Sequence, residues 1–269
     1  MAPPPRLHVI PATACDKALI LRRGPNDCVA SLLWDRATQE LKLGQWLRGR
    51  IYEHRADLSP DGQHMVYFAG TGRNWWTAVS RAPWLRAIAF YPQDHTWHGG
   101  GAFDAMGNLW LNGATVSEGA LPDALGVADV SAFSHATDGF HMGDLFKARM
   151  EMRGWQHHAG TRYDLVMRKP LSAGWSLELS IVLHAKNRGL ISNRYALARE
   201  DDIISKPSLE WAEPFGNLLQ FAENGALWEG RLSEMGVIRD KRMLHDFCDM
   251  EFEAIEAPYQ GVSTKWGAP

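Results

Sequence analysis

The chain has 269 residues, 45% of them hydrophobic and 22% charged, with a formal net charge of −3. That length can bury a sizeable core, and the apolar content excludes wholesale disorder. The near balance of charge, without a basic tract, disfavours a general nucleic-acid binder.

Taken from the N-terminus, Met-Ala-Pro-Pro-Pro-Arg lacks the charged start and apolar run of a secretory signal. No stretch approaches the roughly 18 apolar residues of a membrane-spanning helix. The three cysteines, Cys15, Cys28 and Cys248, cannot all pair, and none forms a C-x-x-C. A cytoplasmic protein is expected. Lys17–Arg22 reads as a strand and is followed by Gly24-Pro25-Asn26-Asp27. Val29–Trp34 and Leu41–Leu43 flank the polar turn Asp35-Arg36-Ala37-Thr38 and read as a hairpin. Asp61-Gly62 leads into His64–Ala69. Trp76–Val79 and Ile88–Tyr91 flank a loop containing Pro83, and Gly107-Asn108 precedes Leu109–Leu111.

Residues 114–140 are rich in Gly, Ala, Ser and Asp and read as a long loop or insertion within a single domain, the interruption reaching to about residue 150. Asp144–Arg153 and Leu232–Arg239 each read as helical turns or as loop or irregular strand. Ala173-Gly174 precedes Trp175–Leu183, which places Trp175, Leu177, Leu179, Ile181 and Leu183 on one face. Leu218–Ala222, Asn224-Gly225 and Ala226–Glu229 make a further hairpin. Short strands with turns about every ten residues indicate an all-β chain.

The turns recur. Counted from Gly62, Gly107, Gly174 and Gly225, the spacings are 45, 67 and 51 residues, against about 40–50 for a four-stranded propeller blade. The expectation is a β-propeller of about five blades of four-stranded antiparallel sheet, with the 12 tryptophans largely wedged between sheets. Leu58-Ser59-Pro60-Asp61-Gly62 followed by His64-Met65-Val66-Tyr67-Phe68 resembles the blade signature of TolB-type and WD-type propellers. Phe103-Asp104-Ala105-Met106-Gly107-Asn108-Leu109-Trp110-Leu111 is similar to the D-x-x-G-N-L-W turn of related propellers. The chain also resembles an uncharacterised bacterial family in Leu21–Pro25, Gly44–Tyr52 and Trp97-His98-Gly99-Gly100-Gly101. That resemblance implies a fold and a bacterial, cytoplasmic origin, and no activity.

Motifs that carry chemistry are few. Trp97-His98-Gly99-Gly100-Gly101 is reminiscent of a lipase oxyanion loop, but no G-x-S-x-G elbow accompanies it. A bend where lack of Cβ permits close approach is the simpler reading. His135, His141, His157 and His158 fit no metal-ligand spacing, and neither metal nor cofactor is expected. Gly70-Thr71-Gly72-Arg73 lacks the third glycine of a dinucleotide fingerprint and reads as an inter-strand turn. Arg48-Gly49-Arg50, with Arg55 and Arg22-Arg23, could form a basic patch with Trp46 and Tyr52 as stacking platforms, although the overall acidity makes nucleic acid an unlikely partner. Asp57, Asp104 and Glu178, near predicted strand starts, are the candidate carboxylates for a propeller glycosidase, with no spacing that selects a pair. His95, Trp97, His98 and Asp57 are expected at a mouth or axis.

With no catalytic constellation, the favoured reading is a non-catalytic protein-binding propeller, of partner-neutralising (immunity) or scaffold type, with a toxin among its conceivable partners. A propeller hydrolase or a metal- or ligand-binding protein is the alternative. Arg73, Asn74, Trp75 and Trp84 are expected exposed in turns as interface anchors. The acidic run Asp246, Asp249, Glu251, Glu253 and Glu256 is expected to face a basic partner.

Overall fold

The computed structural model describes residues 3–24, 27–113, 121–122, 125–129, 133, 142–161, 164–183, 191–259, 261 and 264–266. The fold is all-β and of β-propeller type, built from antiparallel blade sheets. Its residues group into two compact units: His8–Ala148 with Glu251–Pro269, and Arg149–Met250 with Met1–Leu7.

The first unit contains two blade sheets. One is the meander β1 (Arg6–Pro11), β2 (Lys17–Arg23), β3 (Cys28–Asp35) and β4 (Leu41–Arg48), in that order, with the first two residues of β1 counted in the other unit. The expected β3–β4 hairpin forms. It turns because the Asp35 carboxylate accepts the amides of Ala37 at 3.0 Å and Thr38 at 2.9 Å. The other sheet is built from β5 (Arg50–Ile51), β6 (Asp57–Leu58), β7 (His64–Thr71), β8 (Asn74–Arg81) and β9 (Ala87–Gln93), with both β5 and β6 pairing β7.

Strand β7 packs on both of its faces. Its alternate side chains Met65, Tyr67 and Ala69 pack with Ile10, Leu19 and Leu21 of the neighbouring sheet. Val66, on the opposite face, packs with Tyr91, Phe103 and Leu109. A strand buried on both faces needs apolar residues at every position, which is why the run reads as continuous rather than alternating. The signature Ser59-Pro60-Asp61-Gly62 is the β6–β7 turn. There the Ser59 hydroxyl donates to Asp61 at 2.6 Å and accepts the His64 amide at 2.9 Å.

β10 (Gly101–Phe103) and β11 (Leu109–Leu111) follow as a two-stranded pair. Asp104 closes their turn, accepting the amides of Met106 and Asn108 and the Asn108 side chain at 2.9–3.0 Å. This pair accounts for a correction. Among the described residues four blade sheets form where about five were expected, because the 45-residue step from Gly62 to Gly107 delivers two short strands instead of a complete sheet. Of the expected insertion, residues 114–120, 123–124, 130–132 and 134–141 lie outside the described residues. Its end is the helix α1 (Met142–Met152), so Asp144–Met152 is helical and Arg153 lies in the turn that follows.

The second unit holds two meanders. One runs β12 (Gln156–Ala159), β13 (Val166–Pro170), β14 (Trp175–Leu183), β15 (Ile191–Arg199) and β16 (Asp202–Ser205). The other runs β17 (Trp211–Phe215), β18 (Leu218–Glu223), β19 (Ala226–Leu232) and β20 (Ile238–Asp246). The alternation read in β14 places Trp175, Leu177, Leu179 and Ile181 inside. Leu232–Arg239 is no helix: it ends β19, turns at Ser233–Gly236 and enters β20. β20 carries exposed Arg239, Asp240, Lys241 and Arg242, charges that discourage a further strand from adding to this sheet edge. Finally β21 (Lys265–Trp266) returns to the first unit and pairs in parallel with β9.

Candidate functional site

The register of the sheet around β7 gathers residues that stand far apart in sequence. Arg50 of β5 pairs with Gly70 of β7, and Gly70 pairs with Trp75 of β8. Directly paired residues share a face, so the three form one row across three strands. Gly70 is the low point of the row. A Cβ there would lie 2.5 Å from Trp75 Cδ1, so only glycine lets the indole lie down over the strand. The next turn leads away through Thr71 and Gly72. On the other side, Cys28 pairs with Arg48 at the ends of β3 and β4, and the Gly49 amide donates to Asp27 O at 2.7 Å. The result is an open groove of about 610 Å³ lined by Asp27, Cys28, Arg48, Arg50, Tyr52 and Trp75 with the backbone of Gly49 and Gly70–Gly72.

Its electrostatics are those of arginine held on aromatic rings. The Arg50 guanidinium lies 4.6 Å from the Tyr52 ring centroid, and Arg48 lies 4.4 Å from that of Phe252. Neither forms an ion pair among the described residues. The nearest-in-sequence carboxylate, Glu53, is taken by Arg23 at 3.3 Å. Arg55, buried behind Tyr52 and Phe68, has its pKa lowered to about 10, chiefly by burial, with the charge of Arg50 adding to the effect.

The expected anchors distribute unevenly. Arg73 and Asn74 are exposed at the β7–β8 turn, and Trp75 is half-buried in the groove wall. Trp84 does not project as expected. It is half-buried, packed against the core cluster of Val79, Ile88 and Tyr91, with the Lys42 ammonium 5.4 Å from its ring. Its amide donates to Arg81 O at 2.8 Å, and the apolar packing of the indole accounts for its partial burial. Asp249, Glu251 and Glu253 are exposed, as is Asp246, whose carboxylate accepts the Cys248 amide at 2.9 Å and so serves its own turn.

The residues expected at a mouth sit in a bend that Arg55 holds. Its Nη1 donates to Thr96 O at 2.8 Å and to His98 O at 2.7 Å. The His95 and His98 rings lie 5.2 Å apart, and Trp97 between them is 65% exposed. Among the described residues no three His, Cys, Asp or Glu side chains gather as a metal site. His135 and His141 lie outside the described residues, and His157 and His158 are exposed on β12.

Each carboxylate candidate for hydrolysis has a structural partner. Asp57 is buried and accepts the Phe103 amide at 2.9 Å, Asp104 closes its turn, and Glu178 pairs with Arg168 at 2.9 Å. Of the basic patch, Arg48, Arg50 and Tyr52 line the groove, whereas the Trp46 ring lies tilted 6.1 Å from that of Phe252 with the Arg22 guanidinium 5.4 Å from it. Sequence reasoning missed Asp27 and Cys28. Counting the β3–β4 hairpin back from its Asp35 turn is the signal that places them beside Arg48.

No protein-family model and no curated protein matches the chain. Three solved structures are similar to it at low identity. An uncharacterised protein from Listeria monocytogenes EGD-e aligns with 83% of this chain at 8% identity and a TM-score of 0.29. The aligned region spans about 62% of that protein's own length. Prolyl oligopeptidase B from Galerina marginata aligns over 88% of this chain and 34% of its own, at 10% identity and TM-score 0.30. The β-propeller domain of the trilobed protease from Pyrococcus furiosus aligns over 92% of this chain and 100% of its own, at 8% identity and TM-score 0.32. No helix of the described chain is long and apolar enough to cross a membrane.

Proposed function

We propose that the chain is a non-catalytic protein-binding protein of partner-neutralising or scaffold type, working in the cytoplasm, and that it engages its partner at the turn end of β7 and β8. One observation carries this reading: Trp75, Tyr52, Arg48 and Arg50, the residue types that most often anchor interfaces, converge on one groove, with exposed Arg73 and Asn74 in the adjoining turn. A rigid sheet presents them, so turn residues can vary without disturbing the core. A toxin is one kind of partner such a protein would neutralise. The candidate carboxylates Asp57, Asp104 and Glu178 are engaged by the Phe103 amide, the Asn108 amide and Arg168, which favours binding over the hydrolase alternative.

Affinity capture from the native cells with the tagged chain tests the reading. A specific protein should be retained, and Trp75→Ala should weaken its binding by about 2 kcal/mol or more. If no protein is retained above background, and the purified chain instead turns over a glycoside or binds a metal ion, the alternative replaces it.

A further inference from the structure

The groove has an unbalanced charge that its own residues do not satisfy. Two guanidinium groups and one carboxylate, that of exposed Asp27, line it. Arg48 and Arg50 have no ion-pair partner among the described residues, and the Nε of Arg50 is out of contact with solvent without a hydrogen-bond acceptor. Cation–π packing on Phe252 and Tyr52 fixes where both side chains sit. This lowers the ordering cost of binding, because long arginine side chains otherwise lose rotamer freedom when they engage a ligand. Such fixed forks match carboxylate or phosphate oxygens.

The surroundings decide between an anionic polymer and a single anionic group. Glu251 and Glu253, both exposed, flank Phe252, on whose ring Arg48 rests. A phosphate backbone tracking past Arg48 would meet these like charges. One localised carboxylate between Arg48 and Arg50 would not. The Trp75 indole and the Tyr52 ring beside them offer apolar faces for the neighbouring side chain.

We propose that this groove seats a short acidic segment of the partner protein, a carboxylate side chain set beside an aromatic or apolar one. This rests on the protein-binding reading above and names the chemistry of the segment bound. It runs against the simplest expectation from the acidic run, which calls for a basic partner.

The test is fluorescence anisotropy of a labelled peptide of alternating Glu, Asp and Tyr titrated with the intact chain. Its Lys/Arg counterpart, ADP and single-stranded oligothymidine serve as competing probes. The acidic peptide should bind saturably and weaken with salt. Arg50→Gln and Arg48→Gln should each lower its affinity about tenfold, with Arg50→Lys between wild type and Arg50→Gln. Thermal melting of each variant confirms that it remains folded. Equal binding of the basic peptide, unchanged binding by the Arg48→Gln/Arg50→Gln double variant, or arginine-dependent binding of ADP or oligothymidine in preference to the peptide overturns the proposal. The two readings separate cleanly. A captured partner that tolerates the double variant but is lost with Trp75→Ala removes the acidic seat and keeps protein binding. Peptide binding without any captured partner keeps the groove chemistry and removes the protein-binding reading.

Discussion

Two glycine-marked turns, one in each unit, look alike in sequence and work differently. In the bend before β10, Gly99 and Gly100 both have positive φ, and they are also enclosed. A Cβ on Gly100 would lie 2.2 Å from Arg55 O, and one on Gly99 would lie 2.2 Å from the Phe68 ring. In the turn between β13 and β14, Ala173 and Gly174 have φ of 56° and 76°, and a Cβ on Gly174 would meet nothing within 4 Å. Gly99 and Gly100 are glycine for space as well as dihedral, Gly174 for dihedral alone. A Gly in a sequence therefore marks two different physical demands, and only the surrounding core tells them apart.

The largest effect should come from the crowded bend. Gly100→Ala forces a methyl into backbone and should cost roughly 2–5 kcal/mol, combining left-handed strain with overpacking. Urea unfolding measures it, and a loss under about 1 kcal/mol would show that the bend yields and that space is not the constraint. At the open turn, Gly174→Ala should cost only the dihedral strain, about 1–2 kcal/mol. Should it prove as damaging as Gly100→Ala, the distinction collapses. Asp61→Ala, which removes the acceptor for Ser59 and the Gln63 amide at 3.0 Å, should cost about 1 kcal/mol.

A gain is expected at Ala173→Gly. Relief of left-handed strain exceeds the added freedom of the unfolded chain, giving about 0.5–1 kcal/mol of stabilisation. The smallest effect is on acid stability. Asp35 has its pKa lowered first by the Thr38 amide. For Asp61, burial pushes the pKa up, but the Ser59 hydroxyl and Gln63 amide outweigh it, so its pKa is also lowered. A carboxylate with a depressed folded pKa binds its proton less readily than in the unfolded chain. Its contribution is therefore complete above the ordinary value of 3.8 and is lost as pH falls below that through the folded pKa. Melting temperatures of Asp35→Asn and Asp61→Asn should approach that of wild type as the pH falls through this range. A constant gap would deny these carboxylates their part.

Much of the fold was legible because its rules are local. The runs in β2 and β7 are largely apolar, β14 alternates, and the turns at Asp35, Asp61 and Asp104 announce themselves by a carboxylate placed to accept amides from the residues that follow it. The blade count was not legible, since nothing in Phe103–Leu111 says that its two strands stop short of a full sheet. The groove was half legible. Arg48, Arg50 and Tyr52 stood together as a basic and aromatic patch, and Trp75 stood apart as an interface candidate. Their union depends on the β5–β7–β8 register, which pairing across strands sets. Trp46, read as part of the patch, packs its ring at a tilt against Phe252, more than 200 positions later in the chain.

The pairing of β21 with β9 has a consequence for the chain's biogenesis. Lys265 and Trp266 meet Ala89 and Phe90, and Thr264 and Tyr259 donate to the carbonyls of Ala87 and Arg86 at 2.9 and 2.7 Å. The sheet around β7 is therefore synthesised early and finished late. At ribosomal speeds of roughly 5–20 residues per second, the outer edge of β9 waits on the order of ten to thirty seconds for its last strand. During that interval the nascent chain presents an unpaired strand edge next to an apolar core, the element most prone to pair with a neighbouring chain. Slow translation of the intervening residues would lengthen this exposure.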